Sequence, residues 1–135
     1  MQNLLRDMAP ILLFSLAGCA ATPPVASGPS SLPDAGNVAL GQRAYADGPI
    51  IQPVTVLEDS RCPENVRCVW AGQLRLKILW LRPGGQSQPF EVTLGKPAPL
   101  ADGTILLESA SPARRTDRSI QPQDYRFAFR FMGGL

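Results

Sequence analysis

The sequence predicts an all-β chain: a single antiparallel sandwich, immunoglobulin-like, or a small barrel of about six to seven strands. Three observations carry that expectation. Apolar and polar residues alternate with period two at 73–82, where Leu74, Leu76, Ile78 and Trp80 share one face and Gln73, Arg75 and Lys77 the other. The alternation returns at 125–131, with Tyr125, Phe127, Phe129 and Phe131 opposite Arg126 and Arg130. Turn signals such as Asp47-Gly48-Pro49, Pro83-Gly84-Gly85 and Asp102-Gly103 punctuate the chain, and no long run of helical period competes with the strands.

The first two strands are expected at 38–45 and 50–58. Pro53 cannot donate a ladder hydrogen bond, so the second belongs at an edge or carries a bulge. Residues 73–82 form the clearest half-buried strand. Phe90, Val92 and Leu94 then alternate with Glu91 and Thr93, which makes a hairpin with a longer loop around Pro83-Gly84-Gly85. A further strand is expected at 104–109. The echo between Ala46-Asp47-Gly48-Pro49-Ile50-Ile51 and Ala101-Asp102-Gly103-Thr104-Ile105-Leu106 is explained by two Asp-Gly turns feeding apolar strands, without a duplication. The last strand, 125–131, brings four aromatics to the core.

Ahead of these strands the chain reads MQNLLRDMAPILLFSLAGCAATPP, a signal-peptide layout with Arg6 before an apolar run. That run is about half the roughly 20 residues a membrane-spanning helix needs. Leu16-Ala17-Gly18-Cys19 resembles the lipobox of bacterial lipoproteins. The resemblance implies a diacylglyceryl group on the Cys19 thiol, cleavage before Cys19 and acylation of the new amine. Several acyl chains, palmitate among them, would hold the protein permanently at about 0.8 kcal/mol per buried methylene. The alternative is an ordinary secretory signal cut near Ala20 or Ala21. Ala20 directly after the cysteine implies, in a Gram-negative cell, the outer membrane, with the protein facing the periplasm. The expected division is a signal peptide at 1–18, a lipidated cysteine and tether at 19–36, and a β domain at 37–135. Four prolines, two glycines and three serines in residues 20–36 cannot bury a core. As a coil they would span roughly 20 to 25 Å.

Without residues 1–18 the chain has twelve basic and ten acidic residues, a net +2. So small an excess does not point to nucleic acid. Arg114, Arg115 and Arg118 fall in one polar stretch, which reads either as a solvated loop or as a contact for phosphate-bearing lipid or another anion.

The most specified stretch is DSRCPENVRCVWAG, Asp59 to Gly72. With Cys19 acylated, Cys62 and Cys68 are the remaining thiols in an oxidising compartment and are expected to pair. A bridge across so short a loop removes about 2 kcal/mol of unfolded-state entropy, enough to shape a loop rather than hold a domain together. Thiol redox chemistry is the alternative, since Arg61 and Arg67 would lower a thiolate pKa. The cysteines, however, have neither the two-residue spacing nor the helical follow-on of thiol–disulfide enzymes. Metal binding lacks ligands: the chain has no histidine, and nothing in the spacing brings Met132 to the two sulfurs. Trp70 is expected to pack on the disulfide and seal one end of the core, with display to a ligand as the other reading. Arg61 is expected to pair with Asp59 or stack on Trp70. Through Asp59, Ser60, Arg61, Cys62, Pro63, Cys68, Trp70, Ala71 and Gly72 the chain resembles a group of small bacterial envelope proteins and lipoproteins. That resemblance implies a β fold and an envelope address, and no catalytic residue.

The missing histidine removes Ser-His-Asp and Cys-His nucleophilic machinery, and no phosphate-cradling glycine loop is present. No catalytic residue, cofactor or metal is therefore expected. The favoured reading is a lipid-anchored, non-enzymatic binding or structural module. Its candidate surface is Arg61, Trp70, Arg114, Arg115 and Arg118, and its partner an envelope protein, a glycan or a lipid headgroup. Two alternatives stand beside it. One is a periplasmic redox protein using Cys62 and Cys68; the other is an inhibitor or chaperone presenting the loop with Asn65 and Val66 at its tip.

Overall fold

The computed structural model describes residues 32–133, together with Gly18. Cys19 and most of the expected signal and tether lie outside the described residues. The described chain forms seven strands: β1 Ala44–Tyr45, β2 Ile50–Asp59, β3 Leu74–Leu81, β4 Ser87–Thr93, β5 Ala98–Leu100, β6 Gly103–Ser111 and β7 Arg126–Gly133. They make two antiparallel sheets, ordered β1-β2-β3-β4 and β5-β6-β7. The choice between sandwich and closed barrel thus resolves to the sandwich. Among the described residues no helix is long and apolar enough to cross a membrane.

Alternation explains how each sheet contributes to one core. From the first sheet Ile51, Leu74, Leu76, Ile78 and Val92 are buried; from the second, Leu100, Ile105, Leu107, Phe127 and Phe129. Fully burying side chains of this kind contributes about 1.5–3 kcal/mol each. Tyr125 stacks on Phe127 with ring centroids 5.6 Å apart, so the predicted aromatic row forms one wall of the core.

The expected strand at 38–45 is instead divided between the sheets. Val38 and Phe127 exchange backbone hydrogen bonds of 2.8 and 2.9 Å, whereas Ala44 and Tyr45 pair with Ile51 and Ile50. The cause is local: the Gln42 N–H donates to the Ala39 carbonyl, and Gly41, at φ +81°, turns the chain. This segment closes the side of the sandwich between β7 and β2. Among the described residues ahead of it, the Pro33 carbonyl accepts from Tyr45 N–H, and Ala35 is buried. β2 shifts register twice, between Pro53 and Thr55, as its proline predicts, and between Val56 and Glu58, and the Pro53 carbonyl accepts from Gly41 on the side away from β3. The two Asp-Gly sequences both fall at tight hairpin turns, β1 to β2 and β5 to β6. The three-residue β5, with Pro99 at its centre, is an edge strand that the sequence reading lacks.

Candidate functional site

The motif Asp59 to Gly72 is the connection from β2 to β3. Ser60 N–H donates to the Gln73 carbonyl at 2.8 Å, Gln73 N–H donates to the Ser60 hydroxyl at 3.0 Å, and Cys62 N–H donates to the Ala71 carbonyl at 3.0 Å. These bonds extend the ladder beyond the strand ends and pinch the loop at its base. Gly72, at φ +67°, lets the two arms approach. Beyond the pinch, Cys62 and Cys68 form the expected disulfide, with Cα atoms 5.8 Å apart. Replacing both cysteines by serine is expected to lower the free energy of unfolding by about 2 kcal/mol, read from urea unfolding of the two proteins. A loss above about 4 kcal/mol would show instead that the bridge holds the whole domain.

At the base of the loop lies a polar knot that joins the two sheets. Arg61 grips Asp59 at two points, Nε to Oδ1 at 2.7 Å and Nη2 to Oδ2 at 2.8 Å. It also donates to the carbonyls of Ala110, at 2.9 Å, and Pro112, at 3.1 Å. Tyr125 completes the arrangement by donating its hydroxyl to Asp59 Oδ2 at 2.8 Å. Asp59 ends β2, Ala110 belongs to β6 and Tyr125 precedes β7, so one guanidinium ties the ends of both sheets. Of the two expected partners of Arg61, Asp59 is the one found.

Burial is the largest single influence on the Asp59 carboxyl and opposes its ionisation. The hydrogen bonds from Arg61 and Tyr125 and the guanidinium charge together outweigh it, and hold the pKa below the ordinary aspartate value. Burial first, then the bond to Asp59 and its negative charge, push the Tyr125 phenol up to about 12. A titration at 295 nm of a Tyr45→Phe protein is expected to show Tyr125 ionising at about 12, and lower once Asp59→Asn removes the charge. A raised phenol pKa stabilises the fold below the unfolded value near 10 and ceases to do so as pH rises through about 12.

The stapled loop docks on residues 112–118. Glu64 N–H donates to the Arg114 carbonyl at 2.9 Å, and Arg114 Nη1 donates to the Arg61 carbonyl at 2.6 Å. Asn65 and Thr116 exchange two bonds, of 2.7 and 3.1 Å. Arg115 bridges Glu64 at 3.0 Å and Asp117 at 2.9 Å. Arg115 therefore has two carboxylates, whereas Arg114 and Arg118 have none among the described residues. Arg114 and Arg118 line a polar cleft of about 410 Å³ with Asp59, Pro63, Ser119 and Tyr125. The structure thus brings Arg61, Arg114, Arg115 and Arg118 to one end of the sandwich. Arg61, Arg114 and Arg115 bond the loop, Arg114 and Arg115 also line the cleft, and Arg118 faces the cleft without an ion pair among the described residues.

Trp70 corrects an expectation. It is 82% exposed and does not seal the core; Val69 beside it is 92% exposed. The reason lies in the pinch: the Cys62–Ala71 bond and the disulfide turn residues 69 and 70 outward, while Tyr125 and Phe127 already fill the core at this end. The sequence reading also lacked Tyr125 as a partner of Asp59 and the 112–118 segment as the loop's seat. Only the odd polar group on the aromatic row, a tyrosine among phenylalanines, signals the first. Comparison with protein-family models, curated proteins and solved structures finds no match to this chain.

Proposed function

We propose that this chain is a lipid-anchored module of the bacterial cell envelope, attached through Cys19, that acts by binding an envelope protein and has no catalytic centre of its own. The observation that carries the binding reading is the exposure of Trp70, at 82%, on a loop whose backbone is fixed by the disulfide, the pinch and the 112–118 seat. A rigid exposed tryptophan loses little entropy on contact, and tryptophan with arginine dominates the energetics of protein interfaces. Arg114 and Arg118, in the cleft at the same end, supply the charged component.

The chain path supports the anchored arrangement. Leu32 lies at the end of the sandwich where β2 begins, and the stapled loop lies where β2 ends. Twelve residues separate Cys19 from Leu32, about 20 Å as a coil, so an anchored domain would hold its loop away from the membrane.

A photo-crosslinking residue at Val69, in cells with the intact chain, is expected to trap a defined envelope protein. Trp70→Ala is expected to abolish that product while changing stability by no more than about 0.5 kcal/mol, because the side chain touches little of its own domain. The same crosslinker at Lys77, on the outer face of β3, is the control. No product at Val69, or one that survives Trp70→Ala unchanged, would overturn the binding reading. Intact mass of the membrane-purified protein tests the acylation of Cys19 separately.

A further inference from the structure

At the end of the sandwich opposite the stapled loop, the hairpin tips around 46–49, 82–86 and 101–102 leave the space between the sheets open. A groove of about 550 Å³ enters there, within the roughly 300–1,000 Å³ typical of small-molecule clefts. Its lining is apolar, with Leu32, Ile50, Trp80, Leu81 and Phe131. Trp80 is thus the one member of the alternating face of β3 that reaches beyond the closed core, into the mouth of the sandwich.

Two cations and one acid line the same mouth: Arg43, Arg82 and Asp102. The Arg82 guanidinium lies over the Trp80 ring, 5.1 Å from its centroid. The cation–π attraction draws the guanidinium to the floor, where its N–H groups are available to a carboxylate. Neither Arg43 nor Arg82 makes a side-chain hydrogen bond or an ion pair among the described residues. An apolar floor with a surplus of one positive charge at its mouth matches a ligand with one long apolar body and one negative charge.

We propose that this groove binds a long-chain fatty acid, its tail along Ile50, Trp80 and Phe131 and its carboxylate at Arg82 and Arg43. A neutral apolar segment would leave both guanidiniums unanswered, and a two-tailed phospholipid exceeds a single groove of this size. The groove also opens at the end from which the chain leads back to Cys19, so an anchored domain would turn it toward the membrane, where such acids reside. That last argument rests on the lipid-anchor reading; the chemistry of the lining does not.

The test uses the full-length chain with Cys19→Ser, so that no attached acyl chain competes, and with Trp70→Phe, so that Trp80 is the remaining tryptophan. Brominated stearic acid, kept below its micelle concentration, is expected to quench Trp80 fluorescence saturably at one equivalent. Arg82→Gln is expected to weaken binding about tenfold, the loss of one charge-assisted bond, and brominated stearyl alcohol to bind about tenfold more weakly than the acid. Near-UV circular dichroism checks that each variant keeps its fold. Absence of saturable quenching, equal affinity for the alcohol, or unchanged affinity in an Arg43→Gln/Arg82→Gln protein would overturn the proposal. Tighter binding of a brominated lysophospholipid than of the acid would overturn it too. A native protein found unacylated at Cys19 would count against the anchor and leave this titration unaffected.

Discussion

Replacing Asp59 by alanine is expected to lower the free energy of unfolding by about 2–3 kcal/mol, the loss of charge-assisted hydrogen bonds in a partly buried ion pair. For a domain of this size the total is of order 5–15 kcal/mol, so the variant would lose a substantial share of its stability. The side chains of Arg61 and Asp59 are only 15% and 9% exposed, so water reaching the site from the adjoining cleft replaces the missing carboxylate only in part. Arg61 would keep two carbonyl acceptors and lose its counter-charge, and the Tyr125 hydroxyl would lose its acceptor. Tyr125→Phe alone is expected to cost about 1 kcal/mol, the typical worth of a single hydrogen bond. In the Asp59→Ala background it is expected to cost close to nothing, because the bond it removes is already gone. The pH dependence follows from the depressed carboxyl pKa. The stabilisation is complete above the unfolded aspartate value near 4 and is lost as pH falls through the lower folded value, so this contribution weakens only in acid. Urea unfolding of the four proteins of this cycle, at neutral and acid pH, measures all of these quantities. An Asp59→Ala loss below about 1 kcal/mol would show that the knot is no more than a surface pair.

Local alternation made β3 and β7 legible in the sequence, because each presents one face to a common core. Leu74, Leu76 and Ile78 are fully buried, and Arg75 and Lys77 stay on the outer face. The same signal is silent where a strand lacks two faces of opposite polarity. The first half of β4, Ser87 to Pro89, is exposed at an edge, and β5 is three residues long with a proline at its centre. The segment 38–45 alternates well enough to resemble one strand, yet Gly41 lets it cross from one sheet to the other, and register between sheets is not a local property. The candidate site divides in the same way. The disulfide and the Asp59–Arg61 pair involve residues close in sequence, and composition alone suggests them. The carbonyls of Ala110 and Pro112 and the Tyr125 hydroxyl stand 49, 51 and 66 residues away, and only the stacking of one sheet on the other brings them together. Trp70 shows the limit most plainly: hydrophobicity predicts burial, whereas the direction of a stapled loop is set by hydrogen bonds that carry no hydrophobic signature.

Gly72→Ala is expected to destabilise the domain by about 3–5 kcal/mol, although alanine adds a single methyl group at an exposed position. Two effects combine. At φ +67° an L-residue incurs roughly 1–2 kcal/mol for the left-handed conformation. The new Cβ would also collide with the Ser60 carbonyl oxygen, so the arms of the loop must part. Separation breaks the bonds between Ser60 and Gln73 and between Cys62 and Ala71, at about 1 kcal/mol each. It also moves Arg61, which lies between those two bonds, away from Asp59, Ala110 and Pro112. Gly84 separates the two effects. It has a comparable φ of +83°, and a Cβ there would meet nothing within 4 Å. Gly84→Ala is therefore expected to lose only the roughly 1–2 kcal/mol of the left-handed conformation. The difference between the two variants in urea unfolding isolates the close approach of the loop arms. In the Gly72→Ala protein the crosslink from Val69 is expected to fall along with stability, since the pinch fixes the direction in which Val69 and Trp70 face. Equal losses for the two variants would mean that the arms can separate without disturbing the knot, and the rigidity on which the display of Trp70 depends would have to come from the disulfide and the 112–118 seat alone.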